Sequence, residues 1–452
     1  MIDLELLACP RCDRALERAS DALACSGCRI DFPSVAGIPW LFAEPGAALE
    51  EWRGRLRFSL QRVDRDSEQL RAALARDDLR PATRARLAHL AAATDDHGKR
   101  LRSLLEPLDL EGHAAAYATQ LALRTRLPPD QGLTTYYANV HRDWAWGDEE
   151  NAVSAAIVDG LLADAAPKRV LVLGSGAGRL AYDLHRRRAP ATTVALDFNP
   201  LLVLLAEQIA RGARVELYEF PLAPRGVAEQ AVLRTLAAPS PAPPGLEHVL
   251  ADAHRPPFRR GVFDTVVTPW LVDVLPEPFD TLCARVNALL EDGGRWLDFG
   301  SLSFHDPDPA ARFGVDECVA ALEDNGFGAI AVEEHEIPYM CSPASRNGRR
   351  ERVVAWRAVK QRDVKNVPRH YALPDWIVRG TEPVPLTESF QVQALSTRIH
   401  AFIMSLIDGR RSLKDMAKLI VEQRLMSAAE AEPAVRSFLI KMHDDSRRGT
   451  TY

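Results

Sequence analysis

Three sets of residues have the types and spacing to do chemistry. The first is a glycine bend followed by spaced acids. Gly174, Gly176 and Gly178 stand in Leu173-Gly-Ser-Gly-Ala-Gly178, directly after an unbroken aliphatic run. Asp197 closes the next apolar run, and Asp252 with Ala253 closes a third. Glycines let the backbone turn sharply and approach a ligand closely. A carboxylate about 20 residues further on can accept the hydroxyls of a ribose. This set predicts a nucleoside-containing cofactor, with the glycines against its non-nucleoside part, Asp197 on its ribose and Asp252 and Ala253 beside its base. Asn199 and Trp270 are secondary candidates for the same cofactor.

The second set is Asp273 and His305, each just past a further predicted strand. Open α/β sheets bind ligands beyond the carboxyl ends of their strands. An acid or an imidazole there can orient a nitrogen acceptor and take the proton it loses. The plainer alternatives are a helix cap for Asp273 and a loop histidine for His305. The third set is Cys9-Pro-Arg-Cys12 and Cys25-Ser-Gly-Cys28. Four thiolates so spaced can close a tetrahedral zinc site with Zn–S near 2.3 Å. A closed site has no position for water, so the expected role of Zn2+ is structural; a redox dithiol is the alternative. A segment of this size has too little core to fold alone, and a bound ion would supply the deficit.

These residues need a parallel sheet to position them. The run 170–173 is aliphatic and β-branched, as expected of a strand covered on both faces, and 193–197, 247–253 and 263–270 read as the next three strands. Residues 289–299 read as a helix end, a Gly-Gly turn and a fifth strand. Dinucleotide sites have glycine at the sixth position of the fingerprint; here that position is Arg179. The pattern is instead similar to the G-x-G-x-G of S-adenosylmethionine (SAM) methyltransferases. The predicted fold is α/β: a seven-stranded SAM-methyltransferase, Rossmann-like core with appended modules. Those modules are a zinc-binding segment at 1–45 and a helical connector at 46–130, ahead of the methyltransferase domain at 131–360. A small helical domain follows at 366–452. In the connector, Leu49, Trp52, Leu56, Leu60, Val63, Leu70 and Leu74 recur at helical spacing, and Pro81 suits the start of a second helix.

Composition excludes several classes. The 452 residues are 47% hydrophobic and 26% charged, as in ordinary globular protein. No apolar stretch of about 18 residues exists, so no membrane span is expected. The amino terminus lacks the basic start and cleavage site of a signal peptide. A net charge of −6 argues against a broad nucleic-acid surface. Of seven cysteines, four are clustered and three scattered, which suits a reducing cytoplasm.

Two stretches resemble known families. Residues 1–42 are similar to the small zinc-binding activator of tRNA and translation-factor methyltransferases, through Leu6-Leu-Ala-Cys-Pro10 and Phe32-Pro-Ser-Val-Ala-Gly-Ile-Pro-Trp-Leu41. Residues 134–360 resemble the carnosine N-methyltransferase family. The resemblance runs through Arg142-Asp-Trp144, the glycine bend, Thr268-Pro-Trp-Leu-Val-Asp273 and Trp296-Leu-Asp-Phe-Gly-Ser-Leu-Ser-Phe-His305. It implies that Asp273, His305 and Tyr339 contact the acceptor. Asp197-Phe-Asn-Pro200 departs from the family's Gly-Asn-Glu pattern, and the segment around Tyr218 lacks the family's Trp and His. The loop 239–245 is a candidate border of the substrate. The carboxy-terminal helices share a pattern with winged-helix or leader-peptide-holding domains, which would give a protein or peptide partner; a packing appendage is the simpler alternative. The implied activity is N-methylation of an imidazole in a histidine-containing small molecule or peptide. A different acceptor (ribosomal peptide, protein, tRNA or small metabolite) and an inactive SAM-binding scaffold are the rivals.

Overall fold

The computed structural model describes residues 2–19, 22–110, 133–305, 308–364, 376 and 381–448. They divide into two compact units, 1–372 and 373–452. The first unit opens with a small antiparallel sheet, β1 (Glu17–Ala19), β2 (Ala22–Cys25) and β3 (Ile30–Phe32), and a hairpin of β4 (Ser34–Val35) and β5 (Ile38–Pro39). Two long helices follow, α1 (Pro45–Leu74) and α2 (Pro81–Leu105), each with proline in its first turn as its sequence predicts. Of the connector's apolar face, Trp52, Leu56 and Leu60 are buried; its later half, past Val63, is more solvated. Next come α3 (Leu133–His141), a π-helical turn over Arg142–Trp146 and α4 (Asp148–Leu162).

The main sheet has seven strands. In chain order they are β6 (Arg169–Leu173), β7 (Thr192–Asp197), β10 (Leu246–Leu250), β11 (Phe263–Pro269), β12 (Leu290–Gly300), β13 (Phe327–Tyr339) and β14 (Arg349–Lys360). Their spatial order is β10-β7-β6-β11-β12-β14-β13. The first five are parallel, and β14 is antiparallel to both its neighbours. So β13 runs with the parallel set, and its last residue, Tyr339, reaches the same edge as the ends of β6, β7 and β10 to β12. Helices α5 (Arg179–Arg188), α6 (Pro200–Ala210), α7 (Phe279–Leu289) and α8 (Val315–Asp324) flank the sheet. The strand interiors are dry: Val170, Leu171, Val172 and Leu173 are all 0% exposed. This is the predicted seven-stranded, Rossmann-like architecture.

The Tyr218 segment forms a separate hairpin, in which β8 (Val215–Glu219) pairs with β9 (Val232–Leu236). One expectation changes. The loop 239–245 does not border the carboxyl edge. It packs at the opposite edge, where the Tyr182 hydroxyl donates to the Ser240 carbonyl at 2.6 Å and His185 meets the Pro244 carbonyl. Thr193, near the start of β7, donates its N–H to the Gly245 carbonyl at 2.8 Å.

The amino-terminal segment docks by backbone pairing. Leu41 N–H donates to the Leu250 carbonyl at 2.7 Å, Ala8 to Pro257 at 2.9 Å, and Arg259 N–H to Leu6 at 2.9 Å. It thus covers β10, an edge strand that would otherwise expose unpaired backbone. The second unit is three helices: α9 (Glu388–Ser405), α10 (Leu413–Glu422) and α11 (Ala428–Arg448). Ser412 and Asp415 form the capping box that the sequence predicts. Ile403, Leu406, Met416, Ile420 and Val435 make its core. No strand, and so no wing, occurs among the described residues of this unit.

Candidate functional site

The glycine bend forms because β6 must turn at once into α5. Gly176 has φ 57°, a left-handed conformation that side chains adopt at a cost. A Cβ there would meet no atom within 4 Å. Packing therefore does not demand glycine at 176, and the space above it is open to a ligand. Gly178 differs: a Cβ would come to 2.8 Å from the Ala206 Cβ, so that glycine seats α5 against α6.

Asp197, the last residue of β7, points at this bend. Its Oδ2 accepts from Gly176 N–H at 2.8 Å, and its Oδ1 from Asn199 N–H at 2.9 Å. Burial pushes its pKa up to about 6, against the pull of those backbone N–H groups. Each carboxylate oxygen keeps acceptor capacity for a further donor. Beside it the Ser175 hydroxyl is buried with no hydrogen-bond partner among the described residues. An open glycine, a carboxylate and an orphaned hydroxyl fit a hydroxyl-bearing ligand such as a nucleoside.

The other predicted cofactor residues divide. Asp252 follows β10 at the same edge, and its Oδ1 accepts from His254 N–H and Nδ1–H at 2.8 and 2.7 Å. Ala253 is buried, and its carbonyl lies 3.4 Å from Arg285, which forms a buried ion pair with Glu277. Asn199 is fully buried beside Asp197: its Oδ1 caps α6 through Leu201 N–H at 3.1 Å, and its Nδ2 has no hydrogen-bond partner among the described residues.

Three loop starts lie at the ends of β11 to β13, and Trp270, the remaining secondary candidate for the cofactor, is one of them. Trp270, Leu302 and Met340 follow β11, β12 and β13, and all take left-handed backbone, φ 53°, 49° and 53°. Such conformations in non-glycine residues store strain, and they cluster where function requires them. The Trp270 ring packs on Tyr339, centroids 5.1 Å apart. The Arg349 guanidinium covers the Tyr339 ring at 4.6 Å. Asp273 is no helix cap: its Oδ2 accepts from the Ser301 hydroxyl at 2.6 Å and Ser303 N–H at 2.7 Å. It thereby ties the loop after β11 to the loop that carries His305. His305 itself is exposed.

Arg142-Asp-Trp144 has a structural role that no local pattern announces. The Trp144 indole N–H donates to the Ala177 carbonyl at 2.7 Å and Arg179 to the Asp143 carbonyl at 2.7 Å, clamping the π-helical turn to the glycine bend. Arg142 bridges Asp143 and Glu150 at 2.7 and 3.1 Å. The Glu150 Oε2 accepts from Met340 N–H at 2.8 Å, fixing the end of β13.

In the amino-terminal segment, the Sγ atoms of Cys9, Cys12, Cys25 and Cys28 lie within 4.8 Å of one another. Cys9 and Cys28 are 3.9 Å apart, Cys12 and Cys25 3.5 Å. A tetrahedron with Zn–S near 2.3 Å has S···S edges of roughly 3.8 Å. The donor set and its spacing therefore fit one tetrahedral metal ion. Asp13 and Arg29, each just past a Cys-x-x-Cys pair, take the left-handed turn that brings the thiols together.

No protein-family model matches this chain, and no curated protein matches it. Solved structures similar to it include Bacillus subtilis YcgJ, at 14% identity over 47% of this chain and 99% of that one, TM-score 0.33. Haemonchus contortus phosphoethanolamine N-methyltransferase 2 in complex with S-adenosyl-L-methionine matches at 14% identity over 50% of this chain and 56% of its own, TM-score 0.33. This chain thus spans about half the length of that enzyme. A chain from the complex between the Haloferax volcanii Trm112 methyltransferase activator and a protein described as a methyltransferase matches at 13% identity over 51% and 98%, TM-score 0.34. At such identities and scores no residue can be carried across, and the site stands on its own geometry. Among the described residues no helix is long and apolar enough to cross a membrane.

Proposed function

We propose that this chain is a SAM-dependent N-methyltransferase that modifies an imidazole nitrogen in a histidine-containing small molecule or peptide. The observation that carries the reading is the open glycine bend at Gly176, hydrogen-bonded to Asp197 at the carboxyl edge of the parallel strands. When bound, SAM supplies an electrophilic methyl group on a sulfonium. Gly174, Gly176 and Gly178 leave room for its methionine part, Asp197 accepts its ribose hydroxyls, and Asp252 and Ala253 border its adenine. A structural Zn2+ on Cys9, Cys12, Cys25 and Cys28 holds the amino-terminal segment on β10.

The acceptor is a base that must be uncharged to react. Imidazole, with pKa near 6.5, is mostly neutral at pH 7. One ring nitrogen attacks while the other carries hydrogen. Asp273 is suited to that N–H: its Oδ2 is held by Ser301 and Ser303, and its Oδ1 makes no hydrogen bond among the described residues. His305, on the adjoining loop, takes the proton that the product releases. The half-buried Trp270 and Tyr339 exclude water from one side of the acceptor and hold it in line.

The test is transfer of labelled methyl from SAM to carnosine, free histidine, histidine-containing peptides and bulk RNA. Labelling of an imidazole acceptor is the expected result. Labelling of RNA alone, or of none with SAM bound, overturns the acceptor assignment. Absence of SAM binding by calorimetry overturns the enzyme.

A further inference from the structure

Helix α4 opens on three acids, Asp148, Glu149 and Glu150. The helix dipole favours carboxylates in a first turn whatever they touch, and Asp148 and Glu149 are exposed, as that explanation allows. Glu150 is 5% exposed. Burying a carboxylate is costly unless it is paired and hydrogen-bonded. Its Oε1 accepts from Arg142 at 3.1 Å, and its Oε2 from Met340 N–H at 2.8 Å. The second partner lies 190 residues further along the chain, and nothing in the chemistry of a helix start requires it.

Met340 takes φ 53°. A non-glycine residue holds such a conformation only where its surroundings impose it, and the Glu150 carboxylate is fixed on its N–H. A peptide unit is planar, so a grip on that N–H also orients the carbonyl of Tyr339. The Tyr339 ring packs on Trp270 at 5.1 Å and under the Arg349 guanidinium at 4.6 Å. We propose that Glu150 is a positioning residue for the acceptor: by holding the Tyr339–Met340 peptide it sets where the Tyr339 ring stands beside Trp270. This rests on the reading of Tyr339 and Trp270 as the acceptor's aromatic wall. Glu150 takes no part in the methyl transfer itself. When it is changed, Arg142 keeps Asp143 at 2.7 Å, and the contacts of Trp144 and Arg179 that clamp the glycine bend do not involve Glu150.

The test is a double-mutant cycle on the full chain with carnosine as acceptor. Glu150→Gln keeps the side chain's size but leaves one oxygen where two donors each had their own. It should raise the KM for carnosine about tenfold and change kcat by about twofold at most. Affinity for S-adenosylhomocysteine (SAH) should stay within about twofold of wild type. In a Tyr339→Ala background the same substitution should move KM by less than about twofold, since the ring it positions is gone. A rise that persists without the ring, or a KM unchanged in Glu150→Gln, overturns the proposal. A second readout needs no acceptor. Cys341 is exposed, and its Sγ donates to the Tyr339 carbonyl at 3.6 Å. Its alkylation by iodoacetamide, read by peptide mass, therefore reports on this turn. The rate should rise about threefold or more in Glu150→Gln and Glu150→Ala; unchanged rates in both overturn the proposal. If Glu150→Ala fails to fold, Glu150→Gln alone decides it. A wild-type protein that labels no acceptor refutes the acceptor reading, and this proposal falls with it; the alkylation rates tell that failure from a failure of the Glu150 contact.

Discussion

The two halves of the proposed cleft are built on different principles. The proposed cofactor half comes mainly from residues 173–201, one contiguous stretch of chain, which Asp252 and Ala253 join from the end of β10. Its carboxylate is buried and held by backbone N–H groups, and its turn is made by glycines. The acceptor half gathers Trp270, Asp273, Ser301 to His305 and Tyr339 from three loop starts. It uses non-glycine residues in left-handed backbone and leaves His305 exposed. The first half is a local solution, cheap to encode and rigid. The second is a tertiary one, strained and open, where specificity can change without disturbing the sheet.

That contrast can be broken or sharpened by experiment. The largest effect is expected from Gly176→Val. The side chain enters empty space, so the protein should stay folded, at a backbone cost of about 1–3 kcal/mol. SAH binding should fall by a thousandfold or more, because the added methyls occupy the ligand's place; near-normal binding in calorimetry would remove the cofactor half from the argument. The acceptor half should show the reverse. His305→Ala and Asp273→Asn should each lower turnover on carnosine by about a hundredfold while SAH affinity stays within about twofold. A matching loss of SAH affinity would show that the halves are not separable.

Metal removal should act on the cofactor side. The Arg11 carbonyl accepts from Arg255 at 2.9 Å, three residues past Asp252. Prolonged chelation, or Cys12→Ser, should lower the melting temperature by roughly 5–10 °C. SAH affinity should drop several-fold, with the KM for the acceptor little changed. A melting curve indifferent to chelator would deny the metal any structural role.

The smallest effect concerns pH. Burial raises Asp197 to about 6, so SAH affinity should decline about tenfold at most per unit of acidification below pH 6. The sign for stability is opposite. The folded state holds this proton more tightly than the unfolded chain, whose carboxyl titrates near 3.8. Its contribution to stability in the ligand-free protein is therefore present below pH 3.8 and lost as pH rises through 6. Asp197→Asn should flatten both profiles; a pH dependence that survives the substitution belongs to another group.

Legibility followed contact range. Asp197, the glycines and the four cysteines could be read because their partners lie nearby in the chain. Asn199 could have been read as a cap, since Asn before Pro at a helix start is a local signal. It was placed on the cofactor only because it follows Asp197. The loop 239–245 looked like a substrate border because proline-rich loops often flank sites. Its position was settled by Tyr182 and His185, which no sequence window connects to it. Asp273 could be narrowed to cap or site residue, and only the folded loops show Ser301 and Ser303 on its oxygen.

By itself, the sequence determined the parallel α/β core, the strand-bend-helix at Gly174 to Gly178, the paired Cys-x-x-Cys turns and the capped helices at the carboxy terminus. Each depends on hydrophobic periodicity or on hydrogen bonds spanning a few residues. Only the tertiary structure decided which loops meet at the carboxyl edge of the sheet and how the Arg142 turn clamps the glycine bend. Those contacts join positions as far as 190 residues apart, and their free energy comes from packing and burial that exist only once the sheet has closed.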